Sequence, residues 1–209
     1  MNTLEALGIE EGLLQSIKTL GFTEPTPIQE KAIPVLLQGT KDFIGLAQTG
    51  TGKTAAFGLP LLQLIKKEDR FPQALIVCPT RELCLQITSD LEKFKSKKIN
   101  VNITAVYGGT SISMQIRDLR RGTHIVVATP GRLIDLIERK AINLEQIHYV
   151  VLDEADEMLN MGFTDSINTI LSYLPAERNT LLFSATMPPE IAAIARDLGV
   201  ACNPERYIL

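Results

Sequence analysis

The chain is poor in the residues that mark secreted, metal-cage or membrane-spanning proteins. Its 209 residues include three cysteines and no tryptophan, and aromatic side chains make up 5%. Cys78, Cys84 and Cys202 are an odd set without metal-ligand spacing, which excludes a disulfide framework and a cysteine-built zinc site. They read as packing residues in a reducing compartment, with the cytoplasm as the default. No apolar run is long enough to span a bilayer, and the N-terminus, MNTLEALGIEEGLL, is acidic where a secretory signal is basic. Basic charge in excess is missing too. The net charge of -3 excludes a general electrostatic coat for polyanions, so any nucleic-acid contact has to be local. Low-complexity tracts, internal repeats and long Gly/Ser/Pro linkers are also lacking.

What is present fits one α/β domain, since 209 residues bury one good core and are too few for two domains of ordinary size. Short runs rich in Val, Ile and Leu alternate with helix-patterned segments, the signature of a parallel sheet covered on both faces. The predicted strands are 42–48, 74–79, 101–107, 124–129, 148–153 and 179–184. Helical periodicity marks TAAFGLPLLQLIKK, RELCLQITSDLEKFK, ISMQIRDLRRG and GRLIDLIERK. Residues 1–39 read as a mainly helical segment of the same domain and 40–209 as its core, with GVACNPERYIL a short last strand or a linker stub. In such sheets ligands gather at the carboxyl ends of the strands.

After the first predicted strand comes Ala47-Gln48-Thr49-Gly50-Thr51-Gly52-Lys53-Thr54, followed by helix-forming Ala55-Ala56-Phe57. Gly50 and Gly52 let successive N–H groups turn inward at a helix N-terminus and cradle phosphate oxygens. This is a P-loop with Ala47 at the usual first glycine. Lys53 can reach the β- and γ-phosphates of a nucleotide, and the Thr54 hydroxyl suits magnesium, which wants hard oxygens. The plain alternative is a glycine-rich strand-to-helix turn. The fifth strand runs into Asp153-Glu154-Ala155-Asp156. Beside a P-loop, Asp153 can hold Mg²⁺ opposite Thr54, while Glu154 orients and deprotonates an attacking water. An acidic turn at a helix start is the alternative there.

The string DEAD at 153–156, with AQTGTGKT before it and Ser184-Ala185-Thr186 after it, resembles the DEAD-box RNA helicases of superfamily two. GFTEPTPIQ at 21–29 resembles their Q motif, PTRELCLQ at 79–86 motif Ia, Gly108-Gly109 the GG motif and TPGR at 129–132 motif Ib. The resemblance runs from Leu4 to about Pro189 and covers the Ala47 variant of the P-loop. It implies a RecA-like α/β domain of the P-loop NTPase class, with ATP and Mg²⁺ as ligands. Phe22, Glu24 and Gln29 would join Gln48, Thr49, Gly50, Thr51, Gly52, Lys53 and Thr54 in binding the nucleotide. Phe22 would stack on adenine, although a core aromatic after a helix is the plainer reading. The Gln29 amide, donor and acceptor at once, would pair with the adenine edge and exclude guanine. A further aromatic common near the start of this region is Leu4 here. Ser184 and Thr186 would couple the phosphate site to the RNA site.

On the RNA side the resemblance implies Pro79, Thr80, Arg81, Gly108, Gly109, Thr129, Pro130, Gly131 and Arg132. Hydroxyls, backbone N–H groups at helix starts and arginines bind phosphate and sugar without reading bases, which implies sequence-independent binding. Arg81 and Arg132 could instead pair with nearby acids. Gln115 and Arg117 are weaker candidates, and Lys95, Lys97 and Lys98 read as a solvated charge run. No arginine-rich motif follows Thr186, so the second RecA-like domain that completes the ATP site is expected to be absent. A chain without that arginine finger should hydrolyse ATP poorly and unwind nothing. Two rival readings are a stand-alone nucleotide or RNA binder without catalysis, and a DNA-directed P-loop ATPase. Lys53, Asp153 and Glu154 oppose the first; the Q motif and the DEAD string oppose the second.

Overall fold

Runs of Val, Ile, Leu and Phe form six strands: β1 (Phe43–Leu46), β2 (Ala74–Val77), β3 (Ile103–Val106), β4 (Ile125–Ala128), β5 (Tyr149–Leu152) and β6 (Asn179–Ser184). The computed structural model describes residues 3–39, 42–96 and 99–197. All strand pairs are parallel, in the order β1-β6-β5-β2-β4-β3. Parallel neighbours need crossovers, and helices supply them. These are α1 (Glu11–Thr19), α2 (Pro27–Leu37), α3 (Lys53–Leu64), α4 (Arg81–Phe94), α5 (Ile112–Arg120), α6 (Pro130–Glu138), α7 (Ala155–Asn160), α8 (Thr164–Ser172) and α9 (Pro189–Asp197), with a 3₁₀ turn at Glu5–Leu7.

Successive residues of each strand face opposite sides of the sheet, and both sides are packed. Ile76, Val127, Val151 and Leu181 face a core that includes Ile33, Phe57 and Leu91. Their neighbours Leu75, Val126, Val150 and Leu182 face the other, with Leu119, Leu133, Ile167 and Ile191. Leu4, Leu13, Ile17 and Ile28 of the N-terminal segment belong to the first core, on the side of the P-loop helix. Cys78 and Cys84 are buried in that core as packing residues; Cys202 and the tail from 198 onward lie outside the described residues, as do Lys97 and Lys98.

β6 has its predicted bounds, whereas the other strands are shorter than their apolar patterns. Pairing of β3 starts at Ile103 rather than Val101; Val101 is buried but lies outside the ladder, and its apolar character reflects core packing. The predicted helices are α3 to α6. α7, α8 and α9 lie outside the segments of helical periodicity named above; α7, at the helix start foreseen after the DEAD acids, has six residues and is too short to display that periodicity. No described helix is long and apolar enough to cross a membrane.

The strand order divides the carboxyl edge of the sheet. β1, β6 and β5 lead into the P-loop, Ser184-Ala185-Thr186 and Asp153-Glu154 respectively. β2, β4 and β3 lead into the loops at 79–81, 129–132 and 108–109.

Candidate functional site

β1 ends at Leu46 and α3 starts at Lys53, so the turn between them is the P-loop. Gly50 and Gly52 hold φ of 83° and 92°, left-handed values that a side chain with a Cβ reaches only at a cost. The Lys53 side chain is only 6% exposed. Its Nζ lies 3.7 Å from Asp153 Oδ1 and has no hydrogen-bond partner. A buried ammonium needs both neutralising charge and acceptors, and this one has a single distant carboxylate. An anion in front of it supplies both.

Asp153 is 2% exposed. Burial pushes its carboxyl up to about 6; Lys53 pulls the other way and Glu154 adds to the rise. Its ionised form is therefore short of stabilisation, and a hard dication is what corrects that. Among the described residues no group of three or more His, Cys, Asp or Glu forms a metal cage. Magnesium fits such a place, since it takes one or two protein oxygens and completes its shell with water and phosphate. Thr54 and Asp153 line the same cleft.

Glu154 carries φ of 51°, a left-handed conformation that costs a non-glycine residue about 1–3 kcal/mol. Two bonds hold it. Its N–H donates to Asp153 Oδ1 at 3.0 Å, and Thr49 Oγ1 donates to Glu154 Oε1 at 3.0 Å. The P-loop thus touches the second acid directly. Asp156, two residues on, faces the loop after β6. Its Oδ2 accepts from the Thr186 N–H at 3.0 Å and the Thr186 hydroxyl at 2.9 Å, and its Oδ1 accepts from the Ala185 N–H at 3.4 Å. The Ser184 hydroxyl accepts from the Asp156 N–H at 3.3 Å. Because β6 lies between β1 and β5, this loop sits between the phosphate and acid loops.

Thr49, Gly50, Gly52, Lys53, Thr54, Asp153 and Glu154 border a cleft of about 400 Å³ whose lining also includes the apolar side chains of Leu20, Phe22 and Phe94. Of the predicted nucleotide residues, Phe22, Thr49, Gly50, Gly52, Lys53 and Thr54 line it; Glu24, Gln29, Gln48 and Thr51 do not. Glu24 and Gln48 are exposed on their loops, and Thr51 donates to the Gln48 carbonyl at 2.7 Å. Gln29 is 1% exposed. Its Oε1 accepts from the Thr26 N–H at 3.0 Å, half of a capping box at the start of α2, and its Nε2 donates to the Gly52 carbonyl at 3.2 Å. Gln29 therefore ties the Q-motif helix to the P-loop, and each end of its amide keeps one valence unused. The sequence reading missed the α4 wall of this cleft, formed by Leu83, Gln86, Asp90, Lys93 and Phe94. Their helical spacing was visible, but which face of α4 meets the P-loop depends on the packing of α4 on α3.

A second cleft, of about 560 Å³, opens over β2, β4 and β3 and gathers Pro79, Thr80, Arg81, Gly108, Thr129, Gly131 and Arg132. Gly109 and Pro130 do not line it; Pro130 is buried at the start of α6. Thr80 caps α4, accepting from the Leu83 N–H at 3.2 Å. The Arg81 guanidinium lies 5.1 Å from the centre of the Tyr107 ring, a cation–π distance. Arg132 donates to Gln115 Oε1 at 2.9 Å and to the Thr110 carbonyl at 3.1 Å. Gln115 in turn donates to the Tyr107 carbonyl and the Thr110 hydroxyl, each at 2.9 Å. Arg132 and buried Gln115 thus brace the loop that carries Gly108-Gly109, and Gln115 is not part of a solvated helix face. Glu82, Asp135, Met161 and Phe163 also line the cleft and were not predicted. An apolar pair flanking Gly162 in a turn was the available signal.

The family model for DEAD/DEAH box helicases matches residues 26–194. The chain belongs to the DEAD/DEAH box helicase family. It is 54% identical over 194 residues to the ATP-dependent RNA helicase CshA of Listeria monocytogenes, covering 93% of this chain and 37% of that protein. To the DEAD-box ATP-dependent RNA helicase CshA of Geobacillus kaustophilus it is 53% identical, covering 93% of this chain and 41% of that one. The chain thus spans about two-fifths of the length of these curated relatives. A solved DEAD box protein from the hyperthermophile Methanococcus jannaschii superposes with a TM-score of 0.90 at 42% identity, over 94% of this chain and 53% of that one. The six-stranded parallel sheet is that of a RecA-like DEAD-box domain, as the sequence resemblance implies.

Within this DEAD-box fold the carboxyl edge carries two clefts. The P-loop and Asp153-Glu154 meet in the first, residues 79–82, Gly108 and the TPGR loop in the second, and the Asp156-to-Thr186 bonds lie beside the first.

Proposed function

We propose that this chain is the ATP-binding domain of an ATP-dependent RNA helicase, with ATP in the first cleft and RNA backbone along the second. The observation that carries the reading is Lys53, a buried ammonium without a hydrogen-bond partner in a cleft that the aromatic ring of Phe22 also lines. Triphosphate oxygens supply the acceptors that Lys53 lacks, and the N–H groups of the P-loop supply the rest of the cradle. Phe22 packs against adenine. The free valences of Gln29 read its edge while its existing bonds hold the P-loop.

Thr54 and Asp153 would hold Mg²⁺, which when bound neutralises charge on the phosphate oxygens. Glu154, fixed by Thr49, orients the attacking water and takes its proton. Asp156 transmits a shift of the acid loop to Ser184 and Thr186. In the second cleft Arg81 and the N-termini of α4 and α6 meet phosphates without reading bases. Glu82 and Asp135 share the cleft with Arg81 and Arg132, and Asp135 lies 4.0 Å from Arg132, so the cleft adds little net positive charge and RNA binding by this chain alone is weak.

The full protein would carry a C-terminal RecA-like domain with an arginine finger, act in the cytoplasm, and couple ATP to RNA through closure of the two domains. By itself this chain binds adenine nucleotide but neither turns it over quickly nor unwinds a duplex. Calorimetric titration with ADP tests the core of this. The parent chain binds, and Lys53→Ala weakens binding by about 10- to 100-fold, the worth of one charge-assisted bond. Failure of the parent to bind ADP, or unwinding by this chain alone, overturns the reading.

A further inference from the structure

We propose that Phe94 is a positioning residue of the nucleotide cleft, whose ring holds the Phe22 ring in place as the plate for the base. The inference rests on the nucleotide reading above. Phe22 stands on the loop between α1 and α2, anchored at its backbone by one N–H bond to the Ile17 carbonyl at 3.1 Å. No helix or strand fixes the direction of its side chain, so packing has to. The packing partner is Phe94, the last residue of α4. Its ring centre lies 5.8 Å from that of Phe22, at an interplanar angle of 88°. Edge-to-face contact is the favoured geometry for aromatic pairs, because the positive edge of one ring meets the negative face of the other. Both rings line the cleft.

A second observation ties Phe94 to the phosphate end. α3 begins at Lys53, and Gly58 lies on the turn that follows. A Cβ at Gly58 would stand 2.4 Å from Leu91 Cδ2 and 3.7 Å from Phe94 Cδ2. The missing side chain lets α4 lie close against the P-loop helix. One packed path therefore runs from the phosphate cradle through α3, Gly58 and Phe94 to Phe22. It sets the span between the two ends of the cleft before a ligand arrives, and preorganisation of this kind lowers the ordering cost of binding.

The test separates the base end from the phosphate end. ADP with magnesium and, separately, pyrophosphate with magnesium are titrated into the parent chain, Phe22→Leu, Phe94→Leu and the double variant. Phe94→Leu is expected to weaken ADP by about two- to tenfold, the worth of an aromatic pair, and to leave pyrophosphate unchanged. In the Phe22→Leu background it is expected to add no further loss, because the ring it positions is gone. ADP binding at the parental level in Phe94→Leu overturns the proposal. An equal loss on both probes, or fully additive losses in the double variant, does the same, since each marks a general loosening of the core. If the parent binds ADP no tighter than pyrophosphate, or Phe22→Leu leaves ADP binding intact, the base reading itself fails and takes this inference with it. Should Phe94→Leu not fold, Phe94→Met keeps the volume without the ring and carries the same expectations.

Discussion

Replacing Asp156 by asparagine isolates the charge that binds the DEAD turn to the loop after β6. The carboxylate accepts from Thr186 twice, at 3.0 and 2.9 Å, and from Ala185 at 3.4 Å. An asparagine placed with its carbonyl toward Thr186 keeps both short bonds as neutral ones and loses the long one. A bond to a charged acceptor is worth about 1 kcal/mol more than a neutral one, so the two short bonds give about 2 kcal/mol. The site is partly exposed, and solvent screening reduces this to about 1–2 kcal/mol. Burial alone would raise the Asp156 carboxyl; the bonds from Thr186, Ser184 and Ala185 together outweigh it and hold the group below its ordinary 3.8. For an acid whose folded value is depressed, the stabilisation is complete above the unfolded value and is lost as pH falls through the folded one. Urea unfolding of parent and Asp156→Asn should therefore differ by that amount at pH 7, with an unchanged m-value. The gap should narrow once the pH drops below 3.8. A gap of the same size at neutral and acid pH would refute the charge as its source.

In a full-length protein Glu154→Gln should keep ATP affinity and lower turnover by at least about 100-fold, because the amide cannot take a proton; steady-state ATPase kinetics beside nucleotide titration check it. Gln29→Ala should bring ADP and GDP affinities together and also lower the unfolding free energy by about 1–2 kcal/mol, since the Thr26 N–H and Gly52 carbonyl lose their partner in a partly buried place; the two effects are read by calorimetry and by urea unfolding. Arg132→Lys should keep the charge yet lose the paired bonds to Gln115 and Thr110, so RNA affinity falls without a change in the salt slope; fluorescence titration of single-stranded RNA over a salt series measures it.

Parts of this domain are legible residue by residue. The apolar strands of β2, β4 and β5 announce a sheet buried on both faces, because such strands lack polar alternation. Gly50, Gly52, Lys53, Thr54, Asp153 and Glu154 mark out one candidate site, because left-handed turns, a lysine and carboxylates at strand ends have few other uses together, and the structure does bring them to the same cleft. These properties are local, set within a few residues by backbone sterics and side-chain chemistry. The order of the strands is not local. It alone places β6 between β1 and β5, and so sets Ser184 and Thr186 against Asp156. The same order separates the two clefts. Which face of α4 lines the first, how Gln29 reaches Gly52, and why Arg132 braces Thr110 instead of standing free all depend on helices packed against one another from distant parts of the chain. A sequence names the groups a site contains; their partners are chosen by packing, because a contact between residues far apart in the chain exists only once the core has brought them together.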